Sequence, residues 1–303
     1  MTGRRGIAQL LVLWALVLLG TLAMGFSLSM RTEAQAARNG VDDARAYFLA
    51  RTGVMRTVAL LSTLPADNVA RMEIAGKEGD ASYEVRLEGE SGKVDINLVQ
   101  DGVLLAILRK GGLPDEEAES VRDAILDWKD PDDTPRPRGA EWPDYARLPE
   151  PVQPRDGKFA DVGELRYVKG VTPEFHGRFL SRVFTVHGNS PQVSSLDAPE
   201  IVLRALPGVS DEAAAEIVAQ RKAGSSATSK DLVAVAAGAG VTAEGLALLS
   251  GPRASAVYTI TSTGKGGEGV VHAIRCLVEY SAGGKKGVKI LRWLDQAPWE
   301  AEG

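Results

Sequence analysis

The sequence predicts an α+β protein: a long N-terminal helix packed on a small antiparallel sheet, with a large all-α domain inserted into the sheet's sequence. Three observations predict it. An uncharged apolar run from Ile7 to Phe26 passes without proline into a second helical stretch that reaches Leu64. Alternating apolar and polar residues occur over 83–98 and again over 257–294. Between them, from Val99 to Gly251, the pattern is one of short amphipathic helices.

The first element begins with Gly3-Arg4-Arg5-Gly6 directly before the apolar run. Roughly twenty residues at ~1.5 Å each are enough to cross a bilayer. Arg4 and Arg5 hold the short leader on the cytoplasmic side and send the rest outward. Three readings of this start compete. It is a plain membrane anchor, a cleaved secretory signal, or a prepilin-type leader. A secretory signal ends at a small-residue Ala-x-Ala site, and the stretches at 21–23 and 27–29 suit that poorly. A prepilin-type leader is cut after a glycine, between the basic residues and a helix that stays on the mature protein. Gly6-Ile7 suits that geometry.

Beyond the membrane, residues 34–64 continue the helix. Tyr47, Leu49, Val54, Val58, Leu60 and Leu61 recur at near-helical spacing, so one face should bury against a domain. Leu64-Pro65 stops it, because the residue before proline is pushed out of the α region. Strands follow. Tyr83, Val85 and Leu87 alternate, Gly89 to Gly92 supply a turn, and Val94, Ile96 and Leu98 alternate again. This reads as a hairpin with one wet face. At the end of the chain, 257–261, 270–280 and 288–294 read as strands joined by glycine-rich turns. The total is about five strands.

The middle of the chain repeats a small signature: Gly112-Leu113-Pro114-Asp115-Glu116, Gly170-Val171-Thr172-Pro173-Glu174, Gly208-Val209-Ser210-Asp211-Glu212 and Gly240-Val241-Thr242-Ala243-Glu244. Glycine permits a left-handed turn. Ser or Thr caps the first free N–H groups. The acid favours the positive end of the helix dipole, and Pro173 suits the first helical position. The copy at 206–218 looks like a helix-hairpin-helix, a module that often grips nucleic-acid backbones. Ser210 replaces its usual second glycine, and Asp211, Glu212 and Glu216 would repel a phosphate. Structural packing is therefore the leading reading of this hairpin.

A second constellation is acidic: Asp127-Trp128-Lys129-Asp130-Pro131-Asp132-Asp133, then Gly139-Ala140-Glu141. It follows a helix over 116–126, and no helix continues past Asp130-Pro131. Carboxylates crowded on a loop suit a hard cation such as Ca²⁺. The alternative is a solvated loop of Asx-turns. Residue chemistry leaves both open.

Composition is globular, with 44% hydrophobic and 25% charged residues over 303 positions. The net charge of -5 favours neither nucleic acid nor anionic lipid. The one cysteine, Cys276, lies in an apolar alternating run and reads as a buried, inert thiol. His176, His187 and His272 are scattered, and no Walker loop, paired-cysteine or HExxH spacing occurs. Nothing marks an enzyme.

Several ordered stretches together resemble the K-type minor pseudopilins of the type II secretion system, the general secretion pathway protein K family. They are Gly6-Ile7-Ala8 with Val12-Leu13-Trp14, Ala46 to Val54, and Gly92 to Asn97. The series continues with Ile125 to Asp133 and Gly139-Ala140-Glu141, then Gly163 to Thr172, Thr185 to Gly188, Leu196 to Pro199 and Ala205 to Val209. The leader and helix alone would fit any type IV pilin relative. The Asp-Trp and Asp-Pro-Asp run with the large insertion is what resembles K.

The resemblance implies a pilin-like domain divided in sequence. It would have a leader at 1–6, a membrane-spanning part at 7–26, outer helix and first strands at 27–98, an inserted helical domain at 99–252 and closing strands at 253–303. It implies processing between Gly6 and Ile7 by prepilin peptidase, with methylation of Ile7. It implies calcium in the insertion, with Asp130, Asp132, Asp133 and Glu141 as the ligand set. Leu10, Leu11, Leu13 and Trp14 would pack against partner helices. Most pseudopilins carry a glutamate at the fifth mature position, here Leu11. A buried carboxylate in lipid needs a partner, and a subunit with nothing above it needs no such group. Implied partners are the minor pseudopilins I and J, the major pseudopilin, the inner-membrane assembly platform, and secreted cargo or the outer-membrane channel. Nucleic acid is not among them. The implied place is a single-pass inner-membrane protein with a periplasmic domain, later at the pseudopilus tip, with no enzymatic role.

Overall fold

The computed structural model describes residues 3–64, 73–223, 228–251, 255–281 and 287–295. Helix α1 runs unbroken over Gly3–Thr63. Residues 10–41 are exposed throughout, and contact with the rest of the protein begins near Asp42. Beyond that point Ala46, Ala50, Val54, Thr57 and Leu61 are all fully buried. Their spacing of three to four makes one stripe, which is why this half of the helix docks while the first half stays bare.

The stripe lies on a five-stranded sheet of order β1-β2-β5-β6-β7, antiparallel at every pair. The strands are β1 (Ile74–Glu78), β2 (Ala81–Gly89), β5 (Val257–Lys265), β6 (Val271–Ser281) and β7 (Gly287–Leu294). Helix and sheet share a core of Leu49, Val54, Tyr83, Tyr258, Ile260, Ile274 and Cys276. The backbones approach closely: a β-carbon on Gly264 would lie 2.0 Å from the carbonyl oxygen of Ala46. Only glycine fits there.

The expected hairpin of 83–87 with 94–98 does not form. Strand β2 pairs instead with β1 and β5. After a 3-10 turn at Glu90–Gly92, β3 (Val94–Asp95) pairs in parallel with β4 (Phe184–Thr185), in a separate two-stranded sheet. The alternation over 94–98 had suggested a wet face. In fact Val94, Asp95 and Ile96 are at most 3% exposed, so the segment is buried on both sides. It belongs to the larger core of the insertion. The insertion is therefore not purely α. Five strands do form the main sheet, but β1 takes the place expected for 94–98. Ile74-Ala75-Gly76-Lys77-Glu78 lacks the branched alternation that would announce a strand.

The remaining helices are α2 (Asp101–Lys110), α3 (Asp115–Lys129), α4 (Trp142–Tyr145), α5 (173–183, with a π-helical middle), α6 (Glu200–Ala205), α7 (Asp211–Ala223), α8 (Ser229–Gly238) and α9 (Ala243–Leu248). They enclose one apolar core that includes Leu104, Ile107, Ile125, Trp128, Leu165, Phe184, Leu203 and Ile217. The glycines of the recurring signature all adopt positive φ: +99° at Gly112, +84° at Gly170, +74° at Gly208 and +79° at Gly240. Where the signature has a hydroxyl, it caps a helix. Thr172, Ser210 and Thr242 accept from the N–H groups of Phe175, Ala213 and Gly245.

A polar seam joins the two cores. Glu90 is 4% exposed. Its carboxylate accepts from Lys93 Nζ (2.9 Å), from Thr185 on β4 (2.5 Å) and from Thr259 on β5 (2.6 Å). Beside it, the Ser91 hydroxyl donates to Asp197, and the Ser91 N–H donates to the Ser255 hydroxyl. The insertion is thus fastened to the sheet by buried groups that satisfy one another.

Candidate functional site

The acidic segment lies at the C-terminal end of α3. Residue Asp130 leaves the helix with φ −85° and ψ 160°, as the following proline requires. Asp127, one turn earlier, is fully buried. Its carboxylate accepts from the Ala140 N–H (2.9 Å), the Arg136 N–H (3.1 Å) and the Arg136 guanidinium (2.7 Å). It therefore ties the loop 131–141 back onto the helix. The same guanidinium nitrogen of Arg136 also donates to Asp130 Oδ2. Burial works against the Arg136 charge, but Asp130 and Asp127 outweigh it and hold the guanidinium more basic than usual.

Glu141 opens α4 at the far end of this loop and is 2% exposed. Its N–H donates to Asp144 (3.4 Å), and the Asp144 N–H faces the Glu141 carboxylate in return, completing a capping box in which this second contact is too loose for a hydrogen bond. Both Glu141 carboxylate oxygens are buried without a hydrogen-bond partner, as is Asp130 Oδ1. Burial first, then the charges of Asp127, Asp130, Asp156 and Asp133, push the Glu141 carboxyl up to about 7. Removal from water, with acids nearby, disfavours the charged form of the carboxyl. Bare carboxylate oxygens beside further acids are the donor set a hard divalent cation takes. Glu141 and Asp130 are the acids at this loop with oxygens left bare.

The sequence-derived ligand set is only partly brought together. Asp132 turns away to accept from the Thr134 N–H (2.9 Å), the Asx-turn that was the alternative reading. Asp133 is exposed, yet its charge is felt at Glu141. Asp156 and Arg136 were not foreseen as part of the site. Asp156 has φ +50°, and the Asp156-Gly157 dipeptide was the available turn signal. Among the described residues, no three acidic, His or Cys side chains already converge on one ligating point.

The other sequence-derived residues lie on α1. Gly6 and Ile7 fall within the helix. Leu10, Leu11, Leu13 and Trp14 are 59–67% exposed. They belong to a stretch long and apolar enough to cross a membrane.

The hairpin between α6 and α7 is turned inward. The Gly208 carbonyl accepts from the Thr242 N–H at 3.0 Å, so this turn packs on the matching turn before α9. Lys110 Nζ donates to the carbonyls of Arg204, Leu206 and Val209 at 3.1, 2.8 and 2.5 Å. At the start of α7, the Glu212 carboxylate is held below its ordinary range by its own N–H and the Ser210 hydroxyl. A carboxylate thus occupies the place a phosphate would take, which favours the packing reading.

Residues 85–186, from β2 through β4 and across the acidic site, match the family model described as type II secretion system (T2SS), protein K. A type II secretion system protein K from Pectobacterium carotovorum subsp. carotovorum is 33% identical over 81 residues. That alignment spans 27% of this chain and 25% of the relative's length. In fold, the chain is similar to a chain in the crystal structure of the GspK-GspI-GspJ complex from the enterotoxigenic Escherichia coli type 2 secretion system. The TM-score is 0.63 at 16% identity, over 88% of this chain and 99% of that one. The chain thus shares its α+β fold, a long helix on an antiparallel sheet with a helical insertion, with that chain, and its residues 85–186 match the model of the type II secretion system protein K family.

Proposed function

We propose that this chain is a K-type minor pseudopilin that starts or caps a periplasmic pseudopilus together with the I and J minor pseudopilins. The observation that carries the reading is the K-family region at 85–186, set within a fold similar over 88% of the chain to a member of a K-I-J assembly. The role is assembly, not catalysis.

The physics follows from α1. Residues 10–41 are exposed throughout. The apolar part of that stretch is comfortable in lipid, and leaving the inner membrane requires partner helices in its place. Leu10, Leu11, Leu13 and Trp14 would supply that contact by close packing. An aliphatic Leu11 brings no carboxylate needing a partner from a subunit above, which suits a tip position. Processing between Gly6 and Ile7 would leave the helix on the mature subunit. The bulk of the insertion, fastened at Glu90 and Ser91, suits an end of a filament better than its shaft. Calcium held at Glu141 and Asp130 would neutralise the acidic loop and stiffen that end.

Deleting the chain from its host and measuring export of type II substrates tests the reading. Export should stop and return on re-expression of the full chain. Undiminished export in the deletion strain would refute it.

A further inference from the structure

Helix α1 carries a second apolar stripe, outside the membrane-spanning run. Met30, Ala34, Ala37, Val41, Ala44 and Phe48 follow one another at alternating intervals of four and three. All six are exposed, with Met30, Val41 and Phe48 at 49, 66 and 59%. Phe48 lies two residues from Ala46 and from Ala50, both fully buried on the sheet. Two residues are about 200° around a helix, so the stripe looks away from the sheet. Packing within the chain therefore does not account for it. A strict period of seven is the repeat of a helix wound on another helix. The flank of the stripe is charged in the same register. Arg31, Arg38 and Arg45 each follow a stripe residue and recur every seven positions. Arg45 is paired with Asp80 at 2.8 Å. Among the described residues, Arg31 and Arg38 have no ion-pair partner.

We propose that residues 30–48 of α1 form a parallel two-stranded coiled coil with the N-terminal helix of one partner pseudopilin, selected by acidic residues that meet Arg31 and Arg38. The direction follows from continuity. The stripe begins four residues beyond Phe26, where the uncharged run ends, so a helix seated on it extends alongside the membrane span and is anchored from the same side. The partner's charge follows from the arginine row. In parallel coiled coils such a row faces the opposite flank of the other helix. On this chain that opposite flank carries Glu33, Gly40 and Tyr47. A second copy would therefore offer one acid where an acidic helix offers a row, and the arginines favour a different subunit over self-pairing. This inference rests on the assembly reading above and names the surface and the chemistry of the helix it takes.

The test is photocrosslinking of the full chain in host membranes that contain tagged I and J pseudopilins. A photoreactive phenylalanine analogue is placed at position 37 or 44 on the stripe, or at 36 or 39 off it, all four being exposed. Positions 37 and 44 should capture I or J about tenfold more than 36 and 39. Arg31→Glu combined with Arg38→Glu should lower that capture about tenfold, with the amount of chain in the membrane unchanged. Arg31→Lys combined with Arg38→Lys, which keeps the charge, should stay close to wild type. Equal capture at the four positions, a product made of two copies of this chain, or capture indifferent to charge reversal would overturn the proposal. The deletion strain separates the two readings: export that depends on the chain while the stripe captures neither partner defeats this inference alone.

Discussion

Replacing Glu90 by glutamine tests what fastens the insertion to the sheet. The Glu90 and Lys93 side chains are 6% and 10% exposed and meet at 2.9 Å. Glutamine's one carbonyl oxygen accepts from one of the two threonine hydroxyls while its NH2 donates to the other, which must turn to accept it, and the Lys93 ammonium is left buried without its nearest carboxylate. Glu88, at 3.8 Å, compensates only in part. Breaking one side of a buried pair costs about 3–5 kcal/mol, and retained hydroxyl contacts place this case near 3. In a domain of this size that lowers the melting temperature by roughly 6–12 °C. The effect should depend on pH. Burial alone would raise the Glu90 carboxyl, but Lys93, Thr185 and Thr259 together hold it below its usual 4.5. A depressed carboxyl stabilises the fold above its unfolded value and loses that contribution as pH falls through the folded one. Denaturant melts of wild type and Glu90→Gln should therefore differ fully at pH 7 and converge in acid below 4.5. A paired Glu90→Leu, Lys93→Met variant should recover most of the loss. A Glu90→Gln melt within a degree of wild type at pH 7 would refute the reasoning.

Three further outcomes follow from the structure. Gly264→Ala would drive a methyl group into the Ala46 carbonyl at 2.0 Å and should destabilise the helix–sheet core by about 2 kcal/mol in urea melts. In chelator, Glu141→Gln should stabilise the protein, because a carboxyl raised from 4.5 to about 7 loses stability as pH rises through that window. The gain should approach about 3 kcal/mol above pH 7 and vanish below pH 4.5, and saturating calcium should reverse the order. Cys276 is fully buried, and burial pushes its thiol up to about 11. It should resist thiol reagents at pH 8 until the protein unfolds, with prompt labelling of the native chain as the contrary result.

Long-period features were legible in the sequence. The docking stripe of α1, the helix stop at Asp130 and the turns at Gly112, Gly170, Gly208 and Gly240 each rest on local chemistry that a single chain displays. Strand pairing was less legible. The 94–98 segment has a strand's period, but its partner is Phe184–Thr185, far away in sequence, and burial on both sides removes the wet face that the pattern had suggested. The acidic site was half legible. Asp130 and Glu141 come from one motif. Arg136 and Asp156 join through loop closure, which charge spacing along a chain does not encode. Lys110, which belongs to no motif, reaches three carbonyls almost a hundred residues later because the fold brings α2 against the α6 hairpin.

The central claim is assembly with two partner pseudopilins, and purification tests it most directly. Residues 10–41 are exposed throughout and none of them is in the buried core of the described residues, so a chain starting at Arg31 keeps every buried interaction described above. Mixed with the soluble domains of the I and J pseudopilins from the same organism, it should elute with both as one complex of equal stoichiometry by size exclusion with light scattering. Separate elution of the three proteins at micromolar concentration, with and without calcium, would contradict the account.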